Sequence, residues 1–215
     1  MKKMICAMLC IGLVLAGISC TAEELVGFSG KYSEQYIYRY TAPNGQEIYY
    51  VSNEPEDGPA APVLEDVNFD GVEDIVIPVA IGASNFFSVF YVWNGEEYVR
   101  ARWNSGSETG LPNYTLYPEE GYVVCETNDG YVGALHQRYI YRWDGTDLEV
   151  VRYAVSDLEE GSEDNIHVKV YEANYGEEGQ TDTLIWEKVL TVEETANDPN
   201  AFDEEREVLW GDLIS

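Results

Sequence analysis

Basic side chains are scarce in this chain of 215 residues, which carries 12 Lys and Arg against 40 Asp and Glu. The formal net charge at pH 7 is −28. Nucleic acids and anionic membrane surfaces are bound through basic faces, so the charge argues strongly against both as partners. It suits a cationic partner, divalent ions, or simple solubility outside the cell.

Cysteine is also rare, with 4 in the chain. Cys6 and Cys10 lie in the apolar N-terminal segment, and if Cys20 carries a lipid, Cys125 has no disulfide partner within the chain. Exported proteins usually fold in compartments where disulfides can form. This protein is instead predicted to depend on core packing, with a bound metal as a further source of stability. Cys125 lies in the alternating stretch GYVVCET and is expected to be a buried small hydrophobic residue.

No apolar run reaches the ~20 residues that a membrane-spanning helix needs. The run MICAMLCIGLVLAG follows the basic start of the chain and precedes the small-residue stretch ISCTA, which is the pattern of a secretory signal peptide. We predict a signal peptide over residues 1–22 and a single β domain over residues 23–215. Two forms of processing remain open, lipidation of Cys20 at a loose lipobox and simple cleavage after Ala22, and the isolated thiol favours lipidation. The protein is then an exported lipoprotein of the cell envelope, attached to a membrane only through its lipid, or a secreted protein.

Sequence motifs that carry catalytic chemistry are also few. The chain has 2 histidines, His136 and His167, and neither has a metal partner or a nucleophile at motif spacing. There is no G-x-S-x-G elbow, phosphate-binding loop or H-E-x-x-H pair. Carboxylates are so numerous that no glycosidase pair can be singled out. The sequence therefore predicts no catalytic residue and no enzymatic activity, with both histidines as structural or surface residues.

Aromatic residues are abundant instead, with 17 Tyr and 5 Trp. Mixed with Val, Ile and Thr, they favour pleated sheets. Alternating arms flank the turn sequences PNG (residues 43–45), NG (94–95) and DG (144–145), each a hairpin signal. A fourth hairpin, IHVKVYEANYGEEGQTDTLIWEKVL, is predicted to have a longer acidic loop. We predict an all-β fold of successive antiparallel hairpins, arranged as a propeller-like or a sandwich domain.

Two of these hairpins resemble each other. YVWNGEEYVRAR aligns with YRWDGTDLEVVR, which places Trp93 and Trp143 at the ends of incoming strands. The likeness indicates either a weak internal repeat or convergence on the same turn chemistry.

The C-terminal tail has a different pattern. Asp198 before Pro199 predicts the start of one short helix. Phe202, Val208 and Leu209 would line one face of that helix and pack on the sheets.

Oxygen-bearing side chains alternate in the segment DVNFDGVED, residues 66–74, here called the acidic loop. Side-chain oxygens at positions 1, 3 and 5 of such a loop turn toward one point, and the glycine at position 6 permits the sharp turn. Position 7 offers its backbone carbonyl and position 9 closes the site. Calcium takes six to eight oxygen ligands. The spacing therefore predicts a calcium site with the ligands Asp66, Asn68, Asp70, Val72 through its carbonyl, and Asp74.

The acidic loop departs from an EF-hand, which needs Glu at position 12 and a helix after it. Position 12 is Ile77, and the run IVIPV is a strand. Magnesium is less suited because it keeps its waters, and zinc would need His or Cys. The alternative is a solvated acidic turn without an ion. The other acidic turns, residues 126–130 and 175–182, lack the alternation and are interpreted as solvated loops.

The stretch LEDVNFDGVEDIVIPV resembles the calcium loop of FG-GAP/VCBS-type proteins, in which D-x-N-x-D-G-x-x-D lies between a short strand and a buried one. From VLEDVNFDG through FYVWNGEEYV to YRWDGTDLEVVRY, residues 63–153 are similar to a family of small exported bacterial calcium-binding β-proteins. At least one branch of that family is thought to inhibit lysozyme-type hydrolases in the envelope. The resemblance implies Ca²⁺ as the cofactor and the same five ligands.

We therefore expect an exported, lipid-anchored, non-catalytic calcium-binding β-protein that acts as a binding module for an envelope protein or a glycan. Two alternatives remain open. One is an inhibitor of a lysozyme-type cell-wall hydrolase, which the negative charge would suit because such enzymes are basic. The other is a secreted glycan hydrolase, which would need a carboxylate with a raised pKa in a cleft.

Overall fold

The alternating segments of the sequence form strands in the computed structural model, which describes residues 36–52, 61–104, 109–130, 133–176 and 179–213. The predicted signal peptide and Cys20 lie outside these residues. The strands are β1 (Tyr36–Thr41), β2 (Glu47–Ser52), β3 (Val63–Glu65), β4 (Asp74–Ile81), β5 (Phe86–Trp93), β6 (Tyr98–Arg100), β7 (Leu111–Pro112), β8 (Thr115–Tyr117), β9 (Tyr122–Gly130), β10 (Leu135–Asp144), β11 (Asp147–Leu158), β12 (Asn165–Gly176) and β13 (Gly179–Thr191). The helices in the described part of the chain are α1 (Val192–Asn197) and α2 (Asp203–Trp210).

The strands from β3 to β7 form an antiparallel sheet of 5 strands, here called the small sheet. Its order is β3–β4–β5–β6, with β7 also paired to β5. The sequence of β4, DIVIPVAI, is apolar on both faces because both faces are covered. Pro78 has no N–H to donate, and the pairing of β4 with β5 shifts register directly after it.

The strands from β8 to β13 form an antiparallel sheet of 6 strands in the order β13–β12–β11–β10–β9–β8, here called the large sheet. β1 and β2 pair as a separate hairpin. The turn sequences at residues 43–45, 94–95 and 144–145 join β1 to β2, β5 to β6 and β10 to β11. These three predicted hairpins are confirmed.

The two sheets pack face to face. Phe90 and Val92 of the small sheet share a core with Tyr141, Val150 and Cys125 of the large sheet. Cys125 has no exposed surface, as predicted. Each fully buried side chain of this size contributes about 1.5–3 kcal/mol, so this shared core is the main source of cohesion between the sheets.

The outer faces of both sheets are also covered. Ile48 and Tyr50 of the β1–β2 hairpin pack against Ile75 and Ile77 of the small sheet. On the other side, Leu209 of α2 packs against the outer face of the large sheet. The predicted all-β class with antiparallel hairpins and a short C-terminal helix is confirmed, and the arrangement of the sheets is that of a sandwich.

The prediction of one C-terminal helix beginning at Asp198 was wrong. Thr191 caps the N-terminus of α1, and its hydroxyl and the Glu194 carboxylate form a capping box. Asp198 instead ends α1 in extended backbone, with φ −109° and ψ 108°, because the residue before a proline disfavours the helical region. The second helix begins at Asp203. The three apolar residues predicted to face the sheets, Phe202, Val208 and Leu209, do pack on the large sheet.

Two segments predicted as acidic loops are largely strand. β9 extends through residues 126–130, and β12 and β13 pair as far as Gly176 and Gly179. Cross-strand pairing thus overrides the low strand propensity of the acidic residues. No helix in the described part of the chain has the length and apolarity needed to cross a membrane.

Candidate functional site

The acidic loop connects β3 to β4 in the small sheet. Glu65 lies opposite Asp74 in the paired strands, so the two ends of the loop are held together. Gly71 has a φ of 86°, a left-handed conformation that glycine adopts without steric cost. This is the sharp turn that the sequence predicts. Phe69 also has a positive φ, 65°, and its ring packs against the core between the sheets.

The side chains of Asp66, Asn68 and Asp70 converge at the turn. The backbone N–H of Asp70 donates to Asp66 Oδ1 at 3.2 Å and to Asn68 Oδ1 at 3.1 Å. Asp66 Oδ2 accepts from the N–H of Gly71 at 2.9 Å, and Asp70 Oδ1 accepts from the N–H of Val72 at 2.8 Å. Asn68 Nδ2 donates to Asp70 Oδ2 at 3.1 Å. The predicted oxygens at positions 1 and 3 therefore gather around the backbone amide of Asp70, and those at position 5 face Val72 and Asn68.

Asp74 faces the interior and has no exposed surface. Its Oδ1 accepts from the N–H of Trp93 at 2.8 Å, and its Oδ2 accepts from the N–H of Val67 at 3.2 Å. Burial raises the pKa of the Asp74 carboxyl to about 6, although the backbone hydrogen bonds act in the opposite direction. Asp74 thus joins the base of the acidic loop to β5, a role that its position in the motif did not indicate.

The two tryptophans of the similar hairpins both contact the acidic loop. The backbone N–H of Trp93 is the donor to Asp74 just described, and the indole Nε1 of Trp143 donates to the carbonyl of Val67 at 2.6 Å. Val67 is fully buried between the sheets. The loop is therefore attached to the small sheet through Trp93 and to the large sheet through Trp143. The sequence placed these tryptophans at equivalent strand ends but gave no signal of their contact with the loop.

The carboxylates of the acidic loop accept hydrogen bonds from backbone N–H groups. Within the described ranges, no ion pair involves Asp66, Asp70 or Asp74. The described part of the chain contains no group of three or more His, Cys, Asp or Glu side chains placed to hold a metal ion. In the acidic loop the carboxylates point at backbone N–H groups, and two of the five predicted ligands are an amide and a main-chain carbonyl. The donor set consists of oxygens alone, which fits a hard cation such as calcium.

A second polar cluster lies at the outer face of the large sheet. Glu205 of α2 is fully buried. Arg138 Nη1 donates to Glu205 Oε1 at 2.6 Å, and His136 Nε2 lies 2.9 Å from Glu205 Oε2. The ring of Phe202 packs edge-on against His136, with centroids 4.7 Å apart. His136 is buried as a structural residue would be, and the cluster fastens α2 to β10.

His167 lies at the surface of β12. Its Nε2 is 3.2 Å from Glu187 Oε2 on the neighbouring strand β13. This surface position agrees with the prediction from the sequence.

No family model matches the sequence, and no curated protein matches it. Among solved structures, this chain is similar to one described as the structure of a Xanthomonas type IV secretion system related protein. The sequence identity is 13%, the TM-score is 0.45, and the match covers 77% of this chain and 86% of that chain. A likeness at this level defines neither the fold nor the function of this chain.

Proposed function

We propose that this protein is an exported, non-catalytic calcium-binding β-protein that acts as a binding module at the cell envelope. The ion would be held by Asp66, Asn68, Asp70, the carbonyl of Val72 and Asp74. The observation that supports this proposal is the convergence of the Asp66 and Asn68 oxygens, both within 3.2 Å of the backbone nitrogen of Asp70. The oxygens of positions 1 and 3 therefore already lie side by side.

The chemistry of the loop favours calcium over other cations. All five candidate ligands offer oxygen, which suits a hard cation. Calcium tolerates irregular geometry and long bonds of ~2.3–2.6 Å, whereas magnesium demands an octahedron and retains water. Four carboxylates within nine residues of one loop repel one another, and no described Lys or Arg forms an ion pair with them. A divalent cation would remove that repulsion.

A bound ion would act structurally in this position. The acidic loop is tied to β5 through Asp74 and to β10 through Trp143, so an ion in the loop would brace both sheets at one point. Loops of this kind in extracellular modules bind calcium with Kd values of ~10⁻⁴–10⁻³ M, which suits an exported protein. Export itself is inferred from residues 1–22, and lipid attachment from Cys20.

A binding role, with an envelope protein or a glycan as the partner, is favoured by the charge of the chain. With a net charge of −28, the surface attracts basic partners and speeds their encounter. Calcium binding would leave the protein strongly negative, since one ion adds only two positive charges.

Calcium is expected to stabilise the folded protein. At ~10 mM calcium, a site with a Kd of ~10⁻⁴–10⁻³ M adds about 1.5–3 kcal/mol, which corresponds to a rise in Tm of about 3–10 °C. The measurement is thermal unfolding by circular dichroism in calcium and in EGTA. Asp70→Ala should abolish the rise.

Asp129→Ala is the matched control for this experiment. Asp129 lies in an acidic segment without the alternating spacing, and its carboxylate accepts hydrogen bonds from Thr127 and Gln137. It should keep the full calcium-dependent rise in Tm. Equal rises in wild type, Asp70→Ala and Asp129→Ala would place calcium elsewhere and refute the proposed site.

A further inference from the structure

A cleft of about 520 Å³ lies between β2 and the outer face of the small sheet. Its volume is within the ~300–1,000 Å³ typical of small-molecule sites. Phe87, Val89 and Tyr91 alternate along β5 and so present one face to it, Tyr50 of β2 contributes to the opposite wall, and Arg100 lies on β6. No residue of the acidic loop lines this cleft.

Arg100 differs from the other arginines of the described ranges. Each of the others forms an ion pair with a carboxylate: Arg39, Arg102, Arg138, Arg142, Arg152 and Arg206. Arg100 has no ion-pair partner among the described residues, and its guanidinium lies 6.0 Å from the centroid of the Trp103 ring. An arginine that has no carboxylate partner among the described residues can pair with the carboxylate of a ligand.

Two phenol groups accompany Arg100 in the cleft. Tyr91 is the cross-strand partner of Arg100 in the pairing of β5 with β6, so both side chains lie on the same face of the sheet. The hydroxyls of Tyr50 and Tyr91 have no hydrogen-bond partner within the described part of the chain, although both residues line the cleft. The cleft therefore combines an apolar floor with three polar groups that are available to a ligand, which is the usual composition of a recognition site.

We propose that this cleft binds a carboxylated saccharide. The guanidinium of Arg100 matches a carboxylate as a pair of parallel N–H donors. The ring faces of aromatic side chains carry partial negative charge and attract the C–H groups on the apolar face of a sugar ring. Tyr91 and Phe87 would contact the sugar in this way. The free hydroxyls of Tyr50 and Tyr91 can exchange hydrogen bonds with the sugar hydroxyls. This site is separate from the calcium loop and does not depend on it.

The charge of the whole protein restricts the ligand further. A net charge of −28 repels anions, and the repulsion grows with the charge of the ligand. At physiological salt the screening length is ~8 Å, so a single carboxylate held directly by Arg100 is attracted locally and repelled only weakly by distant acids. The cleft therefore selects small sugars with one carboxylate over polyanions.

The test is a titration of ¹⁵N-labelled protein with sodium glucuronate, followed by NMR, with glucose and sodium acetate as matched probes. Glucuronate should bind in the millimolar range expected for so small a ligand and shift the amides of β2, β5 and β6. Glucose, which lacks the carboxylate, and acetate, which lacks the ring, should each bind at least about tenfold more weakly.

Two variants with the same substitution separate the cleft from general charge effects. Arg100→Gln should weaken glucuronate binding about tenfold or more. Arg142→Gln removes an equal charge from the large sheet, outside the cleft, and should leave binding unchanged. The proposal is overturned if glucuronate shifts no cleft amide, if acetate binds as tightly as glucuronate, or if Arg100→Gln binds as well as wild type. Addition of EGTA should not alter any of these results.

Discussion

Replacing Glu205 with alanine should destabilise the fold by about 3–5 kcal/mol. The carboxylate is fully buried and lies within hydrogen-bond distance of Arg138 at 2.6 Å and of His136 at 2.9 Å. Its removal deprives the buried Arg138 guanidinium and His136 imidazole of this partner and leaves Arg138 with one carboxylate, that of the exposed Glu126 at 2.9 Å. The loss of one partner from a buried pair is far more costly than the loss of a surface pair. Urea unfolding measures the change as a fall in the transition midpoint.

Glu204→Ala is the control for that result. Glu204 precedes Glu205 on α2 but is exposed, and its carboxylate accepts from Lys188 at 2.9 Å at the surface. Exposed pairs contribute about 0–1 kcal/mol, so this variant should unfold close to wild type. If the two alanine variants lost equal stability, the buried cluster would not be what holds α2 to β10.

The Glu205 contribution should also depend on pH. Burial tends to raise the pKa of the Glu205 carboxyl, but hydrogen bonds and charge from His136 and Arg138 outweigh it and hold the pKa below its ordinary value of 4.5. Since the folded group is the stronger acid, its stabilisation is present above pH 4.5 and is lost as the pH falls through the lower folded pKa. Wild type and Glu205→Gln should therefore differ most in unfolding free energy above pH 4.5. Urea unfolding at a series of pH values should show that this difference becomes smaller as the pH falls below 4.5.

Asp74→Ala should lower stability by about 2–5 kcal/mol even in EGTA. The Asp74 carboxylate is buried and is the acceptor for the backbone N–H groups of Val67 and Trp93. An unpaired buried donor costs about 1–3 kcal/mol, and this variant leaves two. Urea unfolding with calcium chelated isolates this structural contribution from any effect of an ion.

Asp66→Ala gives the contrast. Its carboxylate accepts from the N–H groups of Asp70 and Gly71 near the surface, where water can replace it, so the cost in EGTA should be below about 1 kcal/mol. Both variants should lose the calcium-dependent rise in Tm. Equal stability of the two variants in EGTA would show that Asp74 does not anchor the loop.

The sequence predicted those parts of the fold that depend on local chemistry. The PNG, NG and DG turns mark three hairpins because their glycines permit the required backbone. The alternation from Asp66 to Asp70 likewise predicted side chains that converge, and Gly71 predicted the turn. The start of α1 also depends on local chemistry, because Thr191 and Glu194 have the T-x-x-E spacing of a capping box, whereas Asp198 before Pro199 ends that helix.

The contacts that the sequence did not reveal join distant segments. Glu205 meets His136 only after α2 docks on the large sheet, and Trp143 meets Val67 only after the two sheets pack. No rule of sequence spacing predicts such contacts, because they form only through tertiary packing. Even within one motif, the spacing of Asp74 predicts only a metal ligand. Its burial and its hydrogen bonds to Val67 and Trp93, which anchor the loop, depend on tertiary packing.

Calorimetric titration of the chelator-treated protein with calcium tests the proposed metal site most directly. Wild type should bind one calcium ion per chain at the acidic loop with a Kd of ~10⁻⁴–10⁻³ M, and Asp70→Ala should bind none in that range. Identical binding curves for wild type and Asp70→Ala, or no binding by either protein, would contradict the account.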